Sequence, residues 1–262
     1  MTHTRSTLFL SAAALAVLTL AAPMASAAEP MPAGCRAPSD VTRLDYVLAR
    51  TSRRIADREP LKIVAIGSSS TAGAGASSPA ASYPSRLEAY LRERFPKETI
   101  TVTNRGVNGE EAREMLARFD ESVIAEKPDL VLWQVGSNAV LRDHPIAPAN
   151  ALIREGVRRL KDAGADVVLV NPQFAPKIIG KPDLDSMIKL IDIAAKEAHV
   201  GVFHRFSVMR HWYETEHMPF EAFLSPDELH MNDWSYACVA KLLAGAIVEA
   251  ATRPTASARI AR

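Results

Sequence analysis

Apolar residues fall into two alternating kinds of segment along this chain. Short runs rich in β-branched residues occur at 62–67, 99–103, 129–135, 165–170 and 200–203. Several of them stop at turn-forming residues such as Gly67, Gly136 and Asn171. Near-continuous apolar runs of this length suit strands buried on both faces. Between them lie stretches with apolar positions three and four apart, such as Leu87, Tyr90 and Leu91, or Leu184, Met187, Ile188 and Ile191. That spacing predicts helices with one face on a core.

The helices are expected at 83–94, opened by Pro84 and ended by Pro96, then from Glu110 onward, at 149–163 with Gly164 as the stop, at 183–199, at 206–214 and at 233–251. An earlier helix should start at Asp40 and run towards Arg58 through Val41, Leu44, Val47 and Leu48. A longer loop is expected over 216–231 and a frayed, basic tail over 252–262. Strands alternating with helices imply βαβ units with right-handed crossovers. The expected fold is one three-layer α/β/α domain with a five-stranded parallel, flavodoxin-like sheet in the order 2-1-3-4-5.

The N-terminus modifies this picture. Arg5 precedes an apolar stretch from Leu8 to Ala22, and Ala25-Ser26-Ala27 forms a small-residue cleavage site, so 1–27 reads as a secretory signal peptide and 28–39 as a linker. No later stretch is expected to span a membrane, and the mature protein is expected to be periplasmic or secreted. Removing Arg5 leaves 30 basic and 30 acidic residues, from 31 and 30 in the full chain. Such balance argues against a nucleic-acid partner. Cys35 and Cys238 are the only cysteines, and in an exported chain they form either one disulfide or two free thiols.

Parallel strands bring their carboxyl ends to one edge, where open α/β sheets bind ligands. Ser69 follows the first strand, Gly109 the second and Asn138 the third, while Asp227 and His230 precede the last helix. A serine hydroxyl needs a base to become a nucleophile, and histidine is suited to that near neutral pH. Asp227, three residues before His230, could orient its ring. Amide donors at Ser69 and Gly109, with the Asn138 side chain, could stabilise an oxyanion. Taken singly these residues have plainer explanations: Asn138 as a cap, Asp227 as a turn residue, His230 as a packed histidine.

Four blocks in order resemble the SGNH (GDSL-type) hydrolase family. They are Gly67-Ser68-Ser69-Ser70-Thr71-Ala72-Gly73, Asn104-Arg105-Gly106-Val107-Asn108-Gly109, Gly136-Ser137-Asn138 and Asp227-Glu228-Leu229-His230. The resemblance implies a hydrolase-like domain over 40–251, with Ser69, Asp227 and His230 as catalytic residues and Ser69, Gly109 and Asn138 as the oxyanion hole. It further implies a serine esterase acting on acetyl or short-chain esters of small molecules or glycans, with no metal or organic cofactor. Lipase, thioesterase or acyltransferase chemistry and an acyl-glycan-binding module are the alternatives. Ser68 and Ala139 stand where the family pattern carries acids, which leaves the organisation of both loops open.

Other chemistries lack their motifs. After Gly67 there is no P-loop lysine, and Gly73-Ala74-Gly75 lacks the third glycine of a dinucleotide fingerprint. His204, His211 and His217 have no metal-ligand spacing. Trp212, Tyr213 and Trp234 could either stack on sugar rings or pack helices together.

Overall fold

The computed structural model describes Met1 and residues 34–254. The signal-peptide expectation, the first half of the linker (28–33) and the tail beyond Pro254 therefore lie outside the described residues. Five strands form one sheet: β1 (Leu61–Gly67), β2 (Ile100–Gly106), β3 (Leu130–Gln134), β4 (Asp166–Val170) and β5 (Gly201–Phe203). All neighbours pair in parallel, and the order is β2-β1-β3-β4-β5, the order expected for this class. β2 is longer than its apolar run. Asn104, Arg105 and Gly106, expected in a loop, continue the ladder opposite Ala65, Ile66 and Gly67. Backbone pairing with β1 carries the strand on after the hydrophobic pattern has stopped.

Helices cover both faces. Tyr83–Arg94 packs on Asp233–Thr252, and Ile146–Asp162 packs on Leu184–Ala198 and Ala112–Ala117. β3 is buried throughout, including the polar Gln134 at its end. Asp233–Thr252 corrects one expectation, because it has the length and composition of a membrane span, with a mean hydropathy of 1.3. Yet 67% of that window is buried inside the protein, so its apolar surface is spent on the core.

The expected helix from Asp40 is broken. A turn at Ser39–Thr42 ends at an extended Arg43, and a new helix runs from Ala49 to Asp57. Arg253 explains the interruption: its guanidinium takes the carbonyls of Leu44 and Asp45, and the Leu48 amide bonds to Ala250. Arg253 is thus anchored rather than frayed. The Asp166 carboxylate caps the new helix by accepting from the Arg50 and Thr51 amides and the Thr51 hydroxyl. Beneath it, Asp129, with a side chain only 2% exposed, joins Arg50 and Arg54 at 2.7 and 2.8 Å and accepts from the Lys62 amide.

Of the two alternatives for the cysteines, the structure has the disulfide: Cys35 and Cys238 are bonded, with Cα atoms 5.4 Å apart. The stretch expected as a linker is therefore docked from Cys35 on, and Trp212 Nε1 donates to the Arg36 carbonyl beside it.

Candidate functional site

β1 ends in Gly67, and Ser69–Ala72 forms a single helical turn directly after it. Three consecutive hydroxyls meet three different environments. Ser68 is buried, and both its amide and its hydroxyl donate to Gln134 Oε1, at 2.8 and 3.0 Å. Ser70 is buried and its Oγ accepts from Arg205 Nη1 at 2.9 Å. Ser69 is half-buried, and its Oγ lies 2.8 Å from His230 Nε2. The chain separation between those two residues is 161, so only the sheet edge brings them together.

The loop carrying the histidine is built around Asp227, whose two oxygens divide the work. Oδ1 accepts from the Leu229 amide at 3.0 Å, the His230 amide at 2.9 Å and Ser225 Oγ at 2.7 Å, closing the turn. Oδ2 meets His230 Nδ1. Asp227 is thus a turn residue as well as the partner of the ring. Burial alone would raise its carboxyl, but the His230 ring and amide, Ser225 and Leu229 outweigh that and hold it far below the usual carboxylate range. An ionised Asp227 can only accept, so the ring proton sits on Nδ1 and leaves Nε2 to accept from Ser69.

This loop leans on Gly75. Its φ is +85°, and a β-carbon there would lie 2.5 Å from the Met231 carbonyl oxygen and 3.0 Å from His230 Cβ. Leu224 and Met231 form an antiparallel bridge that closes the base of the loop.

Asn138 does not cap its helical turn. Its Nδ2 reaches across to the Glu110 carbonyl at 2.8 Å, which uses one of its two N–H groups. Gly109 sits beside that contact with φ +81°, and Arg142 Nη2 would be 3.2 Å from a β-carbon on it. Arg118 clamps the same loop by gripping both Glu110 oxygens and the Arg105 carbonyl. Among the described residues, neither the Ser69 nor the Gly109 amide N–H has an acceptor. The site thus presents a hydroxyl with a base and orienting acid, plus uncommitted donors on neighbouring loops.

Several polar residues of the site have no role assigned to them from the sequence. Gln134 Oε1 also takes the Thr71 hydroxyl at 3.3 Å, so a neutral amide organises the loop around Ser68. Asn104 ties β2 to the serine turn by donating to the Thr71 carbonyl at 2.8 Å. Arg205, wholly buried, reaches Asn171, Ser70 and Gln173. Burial pulls its guanidinium down to about 10, which leaves it charged at neutral pH. The signal available was position: each is a polar residue in or just after the carboxyl end of a parallel strand. Ala139, where the resemblance leads to an acid being expected, is simply buried.

The aromatic residues separate. Trp212 is fully buried and meets Trp234 edge-on at 4.9 Å, so that pair serves packing, whereas Tyr213 is 40% exposed and stacks on Phe220 at 4.3 Å. His204 and His211 face different acids, Asp192 and Glu216. Among the described residues no group of three or more His, Cys, Asp or Glu could hold a metal ion. A cavity of about 310 Å³ is lined by Gly136, Ala139, Glu111, Arg142, His144 and Met187, among others, but not by Ser69 or His230. Burial would raise the Glu111 carboxyl there, and Arg142 and His144 together hold it below its ordinary value.

Comparison with known proteins gives a family and a set of relatives. A family model described as the Non-GDSL lipase-like family matches residues 34–253. An acetylxylan esterase of Geobacillus stearothermophilus is 36% identical over 64 residues, 24% of this chain and 29% of that one. An arylesterase of Vibrio mimicus is 32% identical over 95 residues, 36% of this chain and 46% of that one. The matches therefore span less than half the length of either relative. A crystal structure of a two-domain esterase active on acetylated mannans superposes with a TM-score of 0.69 at 19% identity, covering 81% of this chain and 56% of that one. At that identity the likeness is one of fold.

Proposed function

The chain belongs to the Non-GDSL lipase-like family, and from that premise we propose that it is a serine esterase that cleaves carboxylic esters through an acyl-enzyme on Ser69. The observation that carries this is the 2.8 Å contact between Ser69 Oγ and His230 Nε2, with Asp227 on the other ring nitrogen. The four blocks quoted above make an SGNH-type site the natural description of it.

In the proposed reaction, Ser69 Oγ attacks the ester carbonyl carbon while its proton passes to His230 Nε2. The carbonyl electron pair moves onto oxygen, where the Ser69 and Gly109 amides and the free N–H of Asn138 receive it. Collapse breaks the bond to the alcohol, which leaves with the proton from His230. Water then attacks the acyl-enzyme, giving its proton to His230, and a second collapse releases the acid and restores Ser69. Asp227 fixes the ring tautomer and balances the imidazolium, remaining ionised throughout.

The proposed substrates are acetyl or short-chain esters on carbohydrates. Two observations support this: the names of the relatives, and the openness of the site, since the Asp227 side chain is 44% exposed. A sugar hydroxyl on a chain needs such access. Export to the periplasm or medium belongs to the same proposal. It is supported by the Leu8–Ala27 pattern and by a disulfide, which persists in oxidising compartments.

The test measures turnover of p-nitrophenyl esters from acetate to palmitate with wild type, Ser68→Ala, Ser69→Ala and Ser70→Ala, alongside acetate release from acetylated xylan and mannan. Short-ester turnover abolished only in Ser69→Ala is expected. A preference for palmitate would replace the substrate class, and no turnover of any ester would refute the esterase.

A further inference from the structure

We propose that Arg205 is a positioning residue of the Ser69 site: a buried positive charge without a counter-ion that joins the serine and histidine loops and favours the negative charge developing on the substrate's carbonyl oxygen. This rests on the proposed acyl transfer at Ser69.

Arg205 opens the helix after β5 and is 0% exposed. Its three hydrogen bonds radiate to the loops that carry the site. Nη1 donates to Ser70 Oγ at 2.9 Å, next to Ser69. Nη2 donates to Gln173 Oε1 at 2.9 Å, and Nε donates to the Asn171 carbonyl at 3.1 Å, both just beyond β4. Gln173 passes the link on. Its Oε1 also accepts from Ser137 Oγ at 3.0 Å, beside Asn138, and its Nε2 faces the Leu229 carbonyl at 3.4 Å, beside His230. Because Arg205 has donors only, Gln173 must present oxygen to it, which fixes the amide orientation and with it the donor aimed at Leu229. One guanidinium therefore stands within two hydrogen bonds of the neighbours of Ser69, Asn138 and His230.

Every one of these partners is neutral. Among the described residues no ion pair involves Arg205, although Asp129, the other deeply buried charge, has two arginines. An interior needing only shape would carry an apolar side chain, because a buried charge is costly to desolvate. The uncompensated charge becomes useful when acyl transfer turns a neutral carbonyl into an oxyanion at the serine turn that Arg205 holds through Ser70. The matching imidazolium is served separately by Asp227. A carboxylate at either Ser70 or Gln173 would cancel the field at its source.

The experiment compares Arg205→Gln, Arg205→Lys and Gln173→Glu with wild type and Ser69→Ala on p-nitrophenyl acetate, recording kcat, KM and melting temperature. Arg205→Gln should lose kcat by about tenfold or more with little change in KM, and Arg205→Lys should recover most of that loss by keeping the charge. Gln173→Glu leaves the arginine in place but neutralises it, at the expense of the donor to the Leu229 carbonyl, so it should lose kcat, and wild-type kcat there would be decisive against the field. That variant decides the matter if Arg205→Gln does not fold. Wild-type kcat in Gln173→Glu, or equal losses in the Lys and Gln variants, overturns the electrostatic role. If wild type itself turns over no ester, the esterase proposal falls and this inference with it. If Ser69→Ala alone is inactive while the other three match wild type, only this inference falls.

Discussion

Gly75 and Gly164 offer a controlled way to move the histidine loop. Both have left-handed backbones, with φ +85° and +82°. A β-carbon in that conformation costs roughly 1–2 kcal/mol at either position. In a domain of this size, about 1 kcal/mol corresponds to about 2–4 °C in Tm, so both alanine variants should melt several degrees low. Their surroundings differ. At Gly164 the nearest atom to the new carbon is the Arg50 guanidinium at 3.8 Å, an ordinary contact. At Gly75 it is the Met231 carbonyl oxygen at 2.5 Å, followed by His230 Cβ and Ser225 Oγ, each at 3.0 Å. The first of these is main chain, so relief requires the loop that holds His230 to shift. The Ser69–His230 hydrogen bond at 2.8 Å has little slack, and a displacement of about 1 Å at a reacting group can lower turnover about 10²-fold. Gly75→Ala should therefore lose kcat by that order, while Gly164→Ala keeps wild-type kcat with a smaller fall in Tm, because it adds no clash to the backbone cost. Turnover of p-nitrophenyl acetate and calorimetry on both variants test this. Equal kcat in the two would refute the claim that Gly75 sets the position of the base.

Three other outcomes are expected. Asn138→Ala should raise the barrier by about 2.7–4 kcal/mol, read as a loss in kcat at near-constant KM, and an unchanged kcat would remove Asn138 from the oxyanion site. The disulfide closes a sequence separation of 203 residues, for which chain entropy gives an upper bound of about 5 kcal/mol. Cys35→Ala with Cys238→Ala should melt far below the oxidised wild type and close to the reduced one; melting at the oxidised value would contradict that. Asp129 governs acid stability. Burial would raise its carboxyl, but the Lys62 amide, Arg54 and Arg50 hold it below the ordinary value. A lowered folded pKa contributes stability that is full above the unfolded value of about 3.9 and is lost as pH falls through the folded one. Asp129→Asn should consequently melt lower than wild type at pH 7, with the gap closing below about pH 4; a gap independent of pH would show that ionisation of Asp129 is not what stabilises.

The sheet was legible because burial on both faces writes itself into the sequence as short apolar runs, and β1, β3 and β4 are such runs. The alternation with helices implies a parallel sheet, and the strand order comes from the flavodoxin-like class rather than from the residues. What escaped was decided by distant groups. The apolar spacing through Val47 and Leu48 continues a helical period across Arg43, but the carbonyls of Leu44 and Asp45 are claimed by Arg253, about two hundred residues later. Likewise the cysteine spacing carried no information on proximity, which depends on where residue 35 lies against the last helix. Gln134, Gln173 and Arg205 stand at or just after the carboxyl ends of strands, which marks them as candidates, but the partners that make them a network come from elsewhere in the chain.

The run of three serines shows the same limit from within the site. In the sequence the hydroxyls of Ser68, Ser69 and Ser70 are chemically equivalent, and a family pattern in which Ser68 departs from the usual acid cannot by itself rank them. Rank comes from occupancy. Ser68 donates to Gln134 Oε1 and Ser70 accepts from Arg205, both out of solvent, so removing either proton or lone pair would break a buried hydrogen bond. Only Ser69 combines access with a basic nitrogen at 2.8 Å. Ser68 therefore adds no competing nucleophile: its hydroxyl is held from the neighbouring strand, by Gln134 at the end of β3.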